Sequence, residues 1–193
     1  MAFIQMIDKN LEPSRHQALR FALWIGMGSI AMMFAALTSA YLVRKPVGNW
    51  YEFKLPSQFF ISTVLIILSS LSIEWAYKNF KRGNENYYKW GVSIAFIFGI
   101  AFLYSQINAW KDLTAQGITI DLNVSGSFLY AMTGIHAAHV LGGIGVLAAS
   151  LIISLMTQFE VTTVRILKLD LVRQYWHFVD ILWIYLLLFL ILQ

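Results

Sequence analysis

Gln174-Tyr175-Trp176-His177-Phe178-Val179-Asp180-Ile181-Leu182-Trp183, continued by an apolar run to Gln193, decides the fold class of this chain. The segment from Gln174 to Gln193 carries only His177 and Asp180 as side chains that ionise near neutral pH. At 1.5 Å per residue, about 20 residues cross the roughly 30 Å of hydrocarbon in a bilayer, so the segment reads as a membrane-spanning helix. A histidine and a carboxylate then sit one helical turn apart inside it. An ionised carboxylate at the bilayer centre costs about 2.5–3.5 kcal/mol on insertion scales, so Asp180 has to face protein, water or a partner rather than acyl chains. The His177–Asp180 pair is therefore the first candidate site.

Composition extends that reading to the whole chain. Of 193 residues, 59% are hydrophobic, 16% aromatic and only 12% charged, more apolar surface than a soluble domain of this size can bury. Charge-free stretches run from Phe21 to Val43, Leu55 to Ile73, Trp90 to Trp110 and Leu122 to Phe159, the last containing His136 and His139. With the C-terminal segment they predict one all-α transmembrane domain over 1–193, a five-helix bundle with helices near 19–43, 57–76, 89–110, 126–156 and 174–192. Residues 1–19 form a polar lead-in without a signal-peptide core, so the first helix itself is the expected insertion signal. Trp50, Tyr51, Tyr77, Tyr87, Tyr88, Trp90 and Trp110 fall near span ends, as interfacial anchors do.

The net charge of +4 and the pI near 9.3 set topology rather than attract nucleic acid. Lys9, Arg15, Arg20, Lys78, Lys81, Arg82, Lys89, Arg165, Lys168 and Arg173 fall on one predicted side, and Arg44, Lys45, Lys54 and Lys111 on the other. Ten against four predicts a cytoplasmic N-terminus and, with five spans, a C-terminus outside. No cysteine is present, which excludes disulfides, thiolate metal sites and iron–sulfur clusters within the chain.

Gly134, Ala138 and Gly142 recur every fourth residue on the fourth predicted helix and form a small-residue packing seam. His136 and His139 lie beside it, three residues apart and so on a shared face. Two chemistries fit these histidines. They can pair with His177 and Asp180 across the helix boundary as a polar lock or proton-related cluster, or join His177 in a three-nitrogen metal site of a small stand-alone transporter. The expected site therefore comprises His177, Asp180, His136 and His139, with Gly134, Ala138, Gly142, Trp176 and Trp183 as packing residues and with no metal. No nucleophile–base pair, glycine-rich phosphate loop or paired carboxylates occur, so no catalytic residue is expected in the chain.

Three motifs, in order, carry a family resemblance: the first-helix pattern from Arg20 through Leu23-Trp24, Ser29 and Met33-Phe34-Ala35-Ala36-Leu37 to Ser39-Ala40-Tyr41-Leu42; Thr133-Gly134-Ile135-His136-Ala137-Ala138-His139-Val140-Leu141-Gly142-Gly143; and Tyr175 to Trp183. With them the chain resembles subunit III of the haem–copper terminal oxidases, the cytochrome c oxidase and quinol oxidase family, in its short five-helix bacterial form. The resemblance implies a non-redox accessory subunit of a proton-pumping, oxygen-reducing respiratory complex in the bacterial cytoplasmic (inner) membrane. Haem and copper would sit in partner subunits. This chain would pack directly on subunit I, assemble with subunit II and other respiratory-complex subunits, and bind phospholipid in a cleft. The quinol-oxidase form of the subunit is the alternative within the family. Two positions depart from the family pattern: Ile30 and Ala109 stand where many members carry intramembrane glutamates.

Overall fold

The computed structural model describes residues 13–48, 50–51, 54–121 and 123–193, so most of the predicted polar lead-in lies outside the described residues. Five long helices account for the architecture: α1 (Pro13–Arg44), α2 (Gln58–Lys81), α3 (Glu85–Ala115), α4 (Val124–Met156) and α5 (Thr163–Leu192), with a 3-10 turn at Lys45–Val47. All five are long and apolar enough to cross a membrane. The chain is a five-helix, all-α membrane bundle.

Helix ends follow local chemistry that an apolar-stretch criterion does not detect. α2 ends where Gly83, at φ 77°, lets its N–H reach Phe80 O at 3.0 Å while Asn84 N–H reaches Asn79 O at 3.0 Å. α3 ends the same way at Gly117, with Ile118 N–H on Leu113 O at 2.9 Å and both of those side chains buried. This is the paired closure in which a left-handed glycine satisfies the last free carbonyls. Asn123 caps α4 by accepting from Ser125 N–H at 3.1 Å. Thr162 caps α5 by accepting from Arg165 N–H at 3.3 Å, so α5 starts at Thr163 rather than near 174. Its first turns carry Arg165, Lys168, Asp170 and Arg173, which the criterion of no charge had placed in a loop.

Short connections make sequential helices antiparallel, and α2, α3, α4 and α5 close into a ring in which α5 returns to pack on α2. α1 lies outside that ring against α4 and α5. It touches them through Met27, Phe34, Thr38 and Tyr41, a stripe at heptad spacing, and leaves Phe21, Trp24 and Met32 exposed. Only 17% of its apolar window is buried, against 39% for α2, α3 and α5, so α1 keeps the most surface for lipid or another chain.

Within a membrane the apolar solvent gives helices no hydrophobic reason to associate, so close backbone approach and interhelical hydrogen bonds carry the packing. Close approach occurs at Gly91, where an added β-carbon would stand 2.7 Å from Ala76 Cβ, and around the Trp176 indole, wedged between α3 and α4. A β-carbon on Gly99 would meet Trp176 Cη2 at 3.0 Å, and one on Gly143 would meet Trp176 Cζ3 at 2.9 Å. The predicted seam needs correction here. Among the described residues nothing comes within 4 Å of the β-carbon positions of Gly134 or Gly142, and Ala138 is exposed, so the internal seam of α4 runs through Gly143. One residue along a helix rotates the face by about 100°, which carries the predicted stripe outward. Gly142 and Gly143 instead floor an apolar groove of about 320 Å³ beside Leu23, Val146, Val172 and Tyr175.

Candidate functional site

α5 presents four polar anchors to α2. Trp176 Nε1–H donates to Ser69 Oγ at 3.0 Å, and Ser69 in turn donates to Ala95 O of α3 at 2.7 Å. Seven residues on, Trp183 Nε1–H donates to Thr63 Oγ1 at 2.9 Å. Between them His177 Nδ1 meets Ser70 Oγ at 2.5 Å and His177 Nε2 meets Glu74 Oε2 at 3.4 Å. Asp180 Oδ1 has no hydrogen-bond partner among the described residues. Asp180 is buried, 7% exposed, so the chain itself shields it from lipid.

The sequence placed the counterpart of the His177–Asp180 pair on the fourth helix, at His136 and His139. The structure places it on α2, at Ser70 and Glu74. His139 Nδ1 meets its own helix at Ile135 O, 2.8 Å away, and since a carbonyl only accepts, that nitrogen carries the proton. His136 is fully buried among rings, with Trp183 at 5.2 Å, Phe102 at 5.8 Å and Phe34 at 6.3 Å between centroids. The three histidines thus serve three separate environments. Among the described residues no three of His, Cys, Asp and Glu come together to hold a metal ion.

The α2–α5 contact has definite proton logic. Glu74 accepts, so His177 carries a proton on Nε2. With the ring neutral, Nδ1 accepts from the Ser70 hydroxyl.

A charge cluster continues the polar face of α5 toward its N-terminus. Arg173 contacts Glu74 at 2.7 Å and Asp170 at 2.8 Å, and its guanidinium lies 4.5 Å from the Tyr77 ring centroid. Gln174 donates to Asp170 at 2.8 Å, Lys78 reaches Glu74 at 3.3 Å, and Arg20 brings α1 in at 3.5 Å from Asp170. Arg20 is more than half exposed, so its pair contributes roughly 0–1 kcal/mol, whereas Arg173 bridges two partly buried carboxylates and holds α2 to α5. Sequence reasoning does not single out Ser70, Glu74 or Asp170 and uses Arg173 only for topology. The available signal was Asp170, Arg173, Gln174, His177 and Asp180 at three- and four-residue spacing, a polar stripe that becomes visible once α5 is carried back to Thr163.

On α1, Ile30 packs against the cluster of Phe34, Met132 and Leu186, and on α3 Ala109 is fully buried, so both positions that depart from the family pattern are filled by apolar packing.

The model of a family described as cytochrome c oxidase subunit III matches residues 15–192. The cytochrome c oxidase subunit 3 of Corynebacterium diphtheriae is 30% identical over 186 residues, covering 89% of this chain and 89% of that protein. That of Bacillus subtilis is 26% identical over 84% of this chain and 80% of the relative. The cytochrome bo(3) ubiquinol oxidase subunit 3 of Buchnera aphidicola is 27% identical over 85% of this chain and 88% of its own length.

Proposed function

The chain belongs to the cytochrome c oxidase subunit III family, and from that premise we propose that it is the accessory third subunit of a proton-pumping cytochrome c oxidase in the bacterial cytoplasmic membrane. It carries no redox centre of its own. Haem and copper belong to partner subunits, and this chain packs directly on the catalytic subunit I beside subunit II. Its N-terminus faces the cytoplasm, in keeping with the basic residues gathered on that side. The charge cluster of Arg20, Glu74, Asp170 and Arg173 then lies toward the cytoplasmic end of the bundle.

The observation that carries this reading is the α2–α5 lock. Trp176, His177 and Trp183 all bond α2, which fixes a rigid four-helix ring and leaves two surfaces free for other molecules. One is the outer face of α1 together with the small-residue stripe Gly134, Ala138 and Gly142, flat enough for a partner helix to approach. The other is the apolar groove at Leu23, Gly142 and Tyr175, whose size suits a phospholipid acyl chain. His177, Ser70 and Asp180 keep α5 in register and do not enter the redox chemistry.

Purification through an affinity tag on this chain tests the proposal. The expected product contains a haem–copper subunit in equal amount and oxidises reduced cytochrome c; recovery of the tagged chain with no haem protein would overturn it. Oxidation of quinol but not cytochrome c would move the chain to the quinol-oxidase branch, to which the Buchnera relative belongs by name.

A further inference from the structure

Six buried side-chain nitrogen or oxygen atoms have no hydrogen-bond partner among the described residues, and five of them belong to Gln106, His136 and Asp180. Gln106 contributes Oε1 and Nε2, His136 both ring nitrogens and Asp180 its Oδ1. Gln106 is 1% exposed and His136 fully buried, so neither bilayer headgroups nor a partner chain can reach them.

The register of α3 against α4 brings Gln106 and His136 to one level. Trp110 Nε1–H donates to Thr133 Oγ1 at 3.1 Å and pins the two antiparallel helices together. Four residues back along α3 is Gln106 and three residues on along α4 is His136, both displaced about 5–6 Å in the same direction. Phe102, one turn beyond Gln106 on α3, meets the His136 ring edge-on at 5.8 Å, so His136 faces this same stretch of α3. From α5, the Trp183 ring lies against the same region, 5.2 Å from that of His136.

Polar groups in the interior of a membrane bundle are satisfied by one another or by trapped water, since the surrounding hydrocarbon offers neither donor nor acceptor. An amide presents donors and an acceptor, and a neutral imidazole one of each. Together they supply the two to four partners that a buried water requires. We propose that α3 and α4 enclose a bound-water site in which at least one ordered water bridges the Gln106 amide and the His136 imidazole. Hydroxyls neighbour this level on the helices that bear it: Ser105 beside Gln106 bonds Ser62 and Gln58 O, and Thr133 takes the Trp110 donor. These are already paired, so water is directed to Gln106 and His136. The site is internal to this chain and does not depend on which complex the chain joins.

A density map of the chain in the assembly with which it purifies, at a resolution that resolves ordered water, tests the site. The expected result is a density peak within about 2.7–3.2 Å of both a Gln106 amide atom and a His136 ring nitrogen, absent from the same map of Gln106→Leu. A direct amide–imidazole hydrogen bond with no peak between, or a level closed by side chains without density, would overturn the inference. If Gln106→Leu does not assemble, the unsubstituted map decides alone. A dry level would leave the family assignment untouched, because the map is read within this chain.

Discussion

Adjacent glycines on α4 should behave oppositely on substitution. A β-carbon at Gly143 would stand 2.9 Å from Trp176 Cζ3, 3.0 Å from Cε3 and 3.2 Å from Tyr175 Cε1. The indole cannot retreat, because Gly99 of α3 touches its other edge and its N–H is tied to Ser69. At Gly142 nothing lies within 4 Å of the same position. Both substitutions by alanine gain the same helix propensity, up to about 1 kcal/mol, so that contribution cancels in the comparison. What remains is overpacking, about 1–3 kcal/mol for extra volume in a tight core, or roughly 5- to 150-fold in the folding equilibrium. Titration of the micelle-solubilised chain with denaturing detergent, followed by tryptophan fluorescence, should place Gly143→Ala below the unsubstituted chain and Gly142→Ala at or above it. Equal midpoints, or Gly142→Ala the weaker of the two, would refute the assignment of the internal seam to Gly143.

Three further outcomes follow from the same geometry. Asp180→Asn alters a buried polar group of α5 and should cost about 0.5–1.5 kcal/mol, roughly two- to tenfold, so the assembled oxidase should lose this subunit faster while keeping its initial turnover; turnover that collapses with the subunit retained contradicts a positioning role. Arg173→Gln leaves Asp170 and Glu74 without their shared cation and should cost about 1.5–3 kcal/mol in the same titration, whereas Arg20→Gln, at an exposed pair, should cost under about 1 kcal/mol; equal losses would mean the cluster does not hold α2 to α5. Trp176→Phe, which removes only the donor to Ser69 and part of the ring, should cost far less than Trp176→Ala, about 3–5 kcal/mol, and similar costs would show that the indole is not wedged as described.

The number and type of the helices were legible because a span must be nearly charge-free over about 20 residues, and this chain has five such runs. The ends were less so. Helix α5 continues eleven residues upstream of Gln174 through Arg165, Lys168 and Arg173, whose charges a hydrocarbon criterion rejects although a capped helix carries them easily beyond the bilayer core. That Asp180 must be buried was legible from the cost of a carboxylate in hydrocarbon, and Asp180, Trp176 and Trp183 are all buried. The partner of His177 was not legible, because Ser70 looks like any other helix serine until the ring closes and sets α5 against α2 rather than only against its sequence neighbour α4. The stripe Gly134, Ala138 and Gly142 was visible as a stripe, but spacing fixes which residues share a face and not the direction in which that face points. Gln106 gave no signal in the sequence; its isolation follows from Phe102 and Trp110 filling the turns on either side.

The lock between α5 and α2 is the claim on which the remaining structure turns, and the absence of native cysteine makes it directly measurable. Paired cysteines at Ser70 and His177, treated in membranes with a short bifunctional maleimide, should cross-link within one chain, while a pair at His139 and His177 should not. Efficient linkage of the 139–177 pair with none at 70–177 would place the polar face of α5 against α4 and contradict the account.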